Sequence, residues 1–380
     1  MPDDDADADE YWYYLKSSGK VATGKQSNVK GQAFVFGNIE NDNFGQMLTG
    51  WVGGNENGSK TLYEEIDGET DAKALSSVDV AYYCLYDEEK ADGHVQKNKW
   101  VKTWKPEEAY DEDEDDDKYW YWIEKDGKVY VPGQDETGKD LVGWAYKYAL
   151  GDGALEIKNS GNQFSFAKKK VNSKDYFFNK DGEMISKFID VVEANVDEKG
   201  NAKIAEGMYY FGGSDDGSMK TGSQSVKDDN GDTFKFYFGT KDSATEKKGV
   251  GITGNKNNKL YYEGHLVAAE DYKYQPVTMA IDGKNYTFIV NQNGSIQHSN
   301  VEYKEDGDVL INAKNEKDSA GNDLKVAFET AGQYKYAVTP GTVGNVEFYV
   351  DYLDPEVIMS TSDSEDITAS VPTVLNAIAE

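Results

Sequence analysis

Seventy aspartates and glutamates in a chain of 380 residues supply carboxylates in excess for acid–base work on a glycosidic bond, yet no motif singles out a facing pair. His94, His265 and His298 lie far apart in hydrophilic stretches, with no Cys or His at ligand spacing, so a zinc site is not expected and each reads as a surface residue. There is no Gly-x-Ser-x-Gly elbow and no phosphate-cradling glycine loop followed by Lys and Ser/Thr. The run Asp111-Glu-Asp-Glu-Asp-Asp-Asp117 repels itself and reads as a solvated loop. A calcium loop would need spaced oxygens and a turn glycine, which the run lacks. The expectation is a protein that is not an enzyme and holds no cofactor and no metal.

Aromatic rings supply the chemistry that remains. The chain has 27 Tyr, 15 Phe and 7 Trp. A pyranose presents a face of C–H groups ringed by hydroxyls. A flat Trp or Tyr covers that face while Asn, Gln, Asp or Lys bonds the rim. Burying roughly 50 to 100 Å² of such surface at about 25 cal/mol per Å² gives about 1 to 3 kcal/mol before ordering costs. One site is therefore weak, and several along one polymer gain by avidity. In Lys99-Trp-Val-Lys-Thr-Trp104, strand alternation puts Trp100, Lys102 and Trp104 on one face, as a platform for ligand or as hairpin core. Trp120 and Trp122 share a face too, and Trp51 and Trp144 each follow a glycine. These six tryptophans and Lys102 are the candidate ligand-binding residues.

The elements that carry them are short hairpins. Gly207-Met-Tyr-Tyr-Phe-Gly-Gly-Ser-Asp-Asp-Gly-Ser-Met-Lys-Thr-Gly222 reads as an aromatic strand, a turn of small polar residues and a short return strand. Ala33 to Trp51 repeats its second half, with Gly45, Met47, Thr49 and Gly50 spaced as Gly217, Met219, Thr221 and Gly222. Looser copies lie at Tyr176–Met184 and Tyr286–Ile296, and partial ones at Tyr11–Gly19, Tyr119–Gly127 and Leu260–Gly264. A ribbon this small is not stable alone, so each must bury its rings on the next, as in a solenoid. Met47, Met184 and Met219 read as fillers between stacked units. Val80 to Tyr86 reads as a strand, with Lys99 to Trp104 as its partner.

These residues resemble the cell-wall-binding, choline-binding and glucan-binding repeats of Gram-positive surface proteins, whose units run from an aromatic pair through a glycine turn to Gly-x-Met-x-Thr-Gly-Trp. Phe34 to Trp51 fits that pattern, and Tyr209 to Gly222 fits it apart from a missing Trp. The match is partial over about residues 9–300, with irregular spacing and Gly-Trp only at Trp51 and Trp144. The resemblance implies hairpin architecture, an extracellular binding role, and a sugar or choline as ligand. Choline is held in such proteins by rings at repeat junctions. With most units lacking the Trp, complete cages are expected to be rare, which ranks choline below neutral polysaccharide.

Composition narrows the classes. A formal charge of −30 excludes a phosphate-backbone partner, which demands clustered basic residues. The aromatic content, 13% of residues, is too high for a disordered acidic chain. The single Cys84, among Tyr82, Tyr83 and Tyr86, forms no internal disulfide and reads as a buried thiol. Met1-Pro-Asp-Asp-Asp has no basic or apolar leader and reads as the start of a trimmed mature chain, and no apolar run is long enough to span a bilayer.

The fold expected is all-β, an array of short hairpin repeats with insertions and a smaller C-terminal β unit. Its parts are an acidic lead over 1–9, repeat regions over 10–150 and 151–300, a small β unit over 301–355 and an acidic tail or linker over 356–380. The function expected is non-catalytic polysaccharide binding in a secreted or surface bacterial protein, with an α-glucan such as starch preferred and attached catalytic or anchoring modules allowed for. The alternatives are attachment to the cell wall through choline, teichoic acid or peptidoglycan, and an adhesin or scaffold that binds protein through strand edges or a Tyr-rich patch.

Overall fold

A computed structural model of the chain describes residues 11–66, 74–85, 92–106, 118–132, 141–150, 155–157, 163–197, 199–243, 246–270, 272–281, 284–297, 299 and 301–312. The acidic run 111–117, His298 and everything beyond 312 lie outside them. The described residues form short antiparallel strands, and their only helical turn is the 3-10 turn Leu75–Ser77. The all-β hairpin architecture expected from the sequence is the one observed.

A backbone rule generates the hairpins. Four segments share the pattern Gly-x-x-x-Thr-Gly, namely Gly19–Gly24, Gly45–Gly50, Gly217–Gly222 and Gly249–Gly254. In each, both glycines have positive φ, from +61° to +99°. That region costs an L-residue about 1–2 kcal/mol and costs glycine little, so the two glycines fix where the return strand begins and ends. Two of these segments escape the Met-based pattern, because Val21 and Gly251 stand where the others have Met47 and Met219.

The return strands then tie each hairpin to an earlier one. Met47 N–H donates to Trp12 O at 2.7 Å, and its neighbour Leu48 N–H donates to Val35 O at 2.9 Å within its own hairpin. The same two-step bond recurs from Val95 to Ala33 O and Gln96 to Tyr83 O, from Val129 to Ala81 O and Tyr130 to Trp122 O, and from Met184 to Trp120 O and Ile185 to Phe177 O. It recurs again from Gly251 to Met208 O and Ile252 to Tyr237 O. Consecutive N–H groups of a strand point in opposite directions, so one return segment satisfies two neighbours at once.

The described residues fall into two compact units, one reaching Gly143 and including Phe164–Ile185, the other comprising Trp144–Gln163 and the chain from Ser186. In the first, strand Gly50–Asn57 is flanked by Lys60–Glu65 and Val80–Cys84, and Lys99–Thr103 pairs in full register with Tyr119–Ile123. Val80–Cys84 is thus partnered by Gly50–Asn57, which corrects the pairing expected with Lys99–Trp104. Asn55–Glu65 forms an edge hairpin turning at Gly58. The core of this unit holds Trp51, Tyr83, Tyr121 and Ile123 in one cluster and Val35, Val52, Tyr82 and Cys84 in another. Burial pushes the Cys84 thiol far up, which keeps it protonated and inert, the buried thiol the sequence suggested.

In the second unit, a five-stranded sheet runs in the order Gly222–Lys227, Thr233–Phe238, His265–Val267, Lys259–Tyr262, Gly254–Lys256, and a three-stranded sheet is built on Tyr274–Ile281 and Lys284–Asn291. Phe188, Met208, Phe236 and Phe238 form one core cluster. His265, expected at the surface, is 9% exposed and lies against the rings of Phe234 and Phe236, at 5.7 and 5.0 Å. Pairing opposite the fully buried Phe236 puts it on the inner face, a register its hydrophilic neighbours conceal. Of the expected small C-terminal unit, the hairpin Glu302–Glu305 with Asp308–Asn312 is described.

Candidate ligand-binding groove

A groove of about 730 Å³ opens in the first unit. Hairpin Lys99–Thr103/Tyr119–Ile123, with its return segment through Val131, forms one wall. Hairpin Phe164–Val171/Lys174–Asn179 forms the other, through Lys169, Lys170, Val171 and Asn172. Asn98 and Asn172 line it from tight turns, at φ +49° and +47°, a region asparagine tolerates better than most residues. Trp122 and Tyr130 supply the rings. Lys125, Asp126 and Lys128 come from the turn between them.

Packing fixes these rings from behind. Trp100 stacks on Phe178 at 5.8 Å and meets Trp122 edge to face at 5.4 Å, while Tyr130 meets Phe178 edge to face at 5.0 Å. Such aromatic pairs contribute about 0.5–1.5 kcal/mol each beyond burial, so the floor is rigid. The Trp122 indole donates to Glu124 Oε2 at 3.3 Å. Lys169 Nζ sits 2.5 Å from Glu124 Oε1 and 4.1 Å over the Tyr130 ring.

The structure separates the seven candidate residues. Trp51, 1% exposed, is sealed between Tyr83 and Tyr121, and its indole N–H donates to Trp104 O at 2.9 Å. Trp122 is 6% exposed. Neither leaves a ring face for a sugar, which corrects their place among ligand-stacking residues. Trp100 and Trp104 are half-buried and do not form one platform: the strand ends at Thr103, so Trp100 joins the cluster of Trp122 and Phe178 while Trp104 packs beside Trp51 and Tyr83. Trp120 is half-buried, and Lys102, exposed, stands opposite it in the register. Trp144 is exposed on strand Leu141–Leu150, and Trp12, not singled out by the sequence, is 49% exposed beside exposed Tyr11 and Tyr13.

Sequence inspection also missed Tyr130 and Lys169. Their meeting is one of several: Lys25 lies over Tyr82 at 4.1 Å, Lys105 over Tyr119 at 4.4 Å and Lys256 over Tyr237 at 5.1 Å. An ammonium over a ring face is attractive by about 0.5–2 kcal/mol. Only a pairing map brings such partners together, since Tyr130 and Lys169 are far apart in the chain. Of the two other histidines, His94 is half-buried and bonds Asp92 Oδ1 through Nδ1 at 2.7 Å, while His298 is outside the described residues. No group of three or more His, Cys, Asp or Glu among the described residues is placed to hold a metal ion.

Comparison with known proteins finds no matching family model and no matching curated protein. Among solved structures, the chain is similar to choline binding protein F from Streptococcus pneumoniae, with 15% identity, 78% of this chain and 93% of that one covered and a TM-score of 0.19. The form of that protein in the presence of a peptidoglycan analogue gives 16% identity, 80% and 97% coverage and a TM-score of 0.18. The modular autolysin LytC of the same organism, in complex with a synthetic peptidoglycan ligand, gives 14% identity, 83% of this chain and a TM-score of 0.24; the match spans about half of LytC, 52%. At these scores the chains do not share one superposable frame.

Proposed function

We propose that the chain is a non-catalytic, polymer-binding region of a secreted or surface bacterial protein, and that its ligand is a cell-wall polymer. The carrying observation is the groove itself: Asn98, Asn172 and lysine side chains set on a wall of packed rings, polar groups that suit a hydroxyl-bearing polymer. Starch or another α-glucan loses its support, because the platform it needs, two neighbouring tryptophans with free faces, is taken apart by packing at Trp100 and Trp104. Choline at these tyrosines is also disfavoured, since lysine ammoniums already cover Tyr82, Tyr119, Tyr130 and Tyr237.

Co-sedimentation tests this reading. The chain is expected to pellet with purified Gram-positive cell walls, to stay in solution with insoluble starch, and to release no reducing sugar from either. Pelleting with starch alone, or with neither polymer, would refute it, and sugar release would make the chain an enzyme. Release from walls by free choline would move the ligand to a quaternary ammonium and the site to the exposed rings around Trp12.

A further inference from the structure

The groove is basic in a chain that is strongly acidic. Four lysines, Lys125, Lys128, Lys169 and Lys170, line it against two carboxylates, Glu124 and Asp126. Over the whole chain the balance is reversed, with 40 basic residues against 70 acidic ones. The two carboxylates are already engaged. Glu124 takes the Lys169 ammonium and the Trp122 indole, and Asp126 Oδ1 accepts the Lys128 backbone N–H at 3.1 Å. Lys170 is held only loosely, 3.8 Å from Asp175, and is largely exposed. Lys125 and Lys128 are exposed and make no ion pair among the described residues.

More positive charge stands beside this wall. Gly127 lies against Lys97, its would-be Cβ 3.5 Å from the Lys97 side chain. Lys25 Nζ reaches the Asp126 carbonyl at 2.9 Å. Burial lowers the pKa of Lys25 most. Asp126 raises it, and Lys97 and Lys128 are close enough to lower it further by repulsion. Like charges gathered this way repel one another. A multivalent anion would relieve that repulsion. The sequence has no arginine, so recognition here is by point charges, which suit spaced single anions along a polymer.

We propose that this groove binds an anionic polysaccharide, with Lys125, Lys128 and Lys170 meeting carboxylates or phosphodiesters spaced along the polymer while Asn98 and Asn172 meet its hydroxyls. The inference rests on the polymer-binding reading above and narrows it to acidic polymers.

Affinity electrophoresis of the full chain in gels containing polygalacturonate, poly(glycerol phosphate) or dextran tests it. Retardation is expected from one or both polyanions and not from dextran; which polyanion acts tells carboxylate from phosphodiester. Lys125→Ala/Lys128→Ala is expected to weaken binding at least about tenfold with an unchanged melting curve, since both side chains are exposed, while Lys235→Ala/Lys241→Ala, on the second unit, leaves it unchanged. Retardation by dextran alone would overturn the charge argument and spare polysaccharide binding. No retardation by any of the three would overturn the anionic-polymer assignment, while co-sedimentation with cell walls decides the polymer-binding reading separately. A Lys125→Ala/Lys128→Ala variant that binds polyanions as the parent does would overturn the assignment to this groove.

Discussion

Gly251 stands where the other return strands carry methionine or valine, so a consensus view of the repeats would replace it by Met. The structure predicts that Gly251→Met is destabilising. A Cβ at Gly251 would lie 2.3 Å from the Glu263 carbonyl oxygen, 2.4 Å from its carbon and 2.7 Å from Gly264 N. These are backbone atoms of the tight turn between strands Lys259–Tyr262 and His265–Val267, and no rotamer change can move them aside. Making room means separating two segments joined by Gly264 N–H to Ile252 O and Glu263 N–H to Thr253 Oγ1. At about 1 kcal/mol for each bond strained or lost, and about 1–3 kcal/mol for overpacking, the cost is about 3–5 kcal/mol. Chemical unfolding should show a loss of that size. A Gly251→Met protein within about 0.5 kcal/mol of the parent would refute the reasoning.

Three further outcomes follow from burial and charge. Burial lowers the His265 pKa to about 4, and its Nδ1 has no hydrogen-bond partner, so the folded state resists protonation. Stability should therefore be complete above pH 6.5 and fall by about 3 kcal/mol as pH drops toward 4, and urea titrations of His265→Phe should lack that fall. Glu263 behaves oppositely: burial first, then the nearby Asp190 carboxylate, raise it to about 7, so the stability gained by holding its proton is present below pH 4.5 and lost as pH rises through 7. Glu263→Gln should stabilise the chain by up to about 3 kcal/mol above pH 7 and change it little at pH 4, and a stability curve parallel to the parent's would count against the raised pKa. Trp51→Ala should cost about 3–5 kcal/mol in chemical unfolding, while Trp144→Ala, at an exposed position, should stay within about 1 kcal/mol; equal costs would contradict the burial assigned to them.

Local patterns were legible wherever the signal was local. Gly45, Met47, Thr49 and Gly50 mark a return strand because two left-handed turns must bracket it, and the matching residues at Gly217–Gly222 do the same. Met47 and Met184 pack half-buried against core clusters, as fillers do. The copies at Gly19–Gly24 and Gly249–Gly254 were hidden by weighting Met above the Thr-Gly step that all four share. Pairing was not legible. Val80–Cys84 and Lys99–Thr103 are both good strands, and nothing in either says that their partners are Gly50–Asn57 and Tyr119–Ile123. The groove was hidden for the same reason: Trp122 was named, yet its neighbours Tyr130, Lys169 and Asn172 are brought in by two other segments. A tryptophan's type says that it packs or stacks, and only the register says which.

The two-step bond of the return strands also accounts for the irregular spacing. Its donors and acceptors are all main-chain groups, as in Val129 to Ala81 O and Met184 to Trp120 O, so it makes no demand on how many residues separate one hairpin from the next. Added length between hairpins costs loop-closure entropy, which grows by only about 0.6 kcal/mol for each doubling. What each hairpin must keep is a ring for its neighbour to cover and glycines where the backbone turns left-handed. Side chains that face outward between those fixed points are free to change, and the groove lysines lie on such positions: Lys125 and Lys128 occupy the turn after Tyr119–Ile123, and Lys170 sits next to the turn that follows Val171. Charge on this wall is thus set independently of the fold, which is why a basic groove is possible on a scaffold whose net charge is −30.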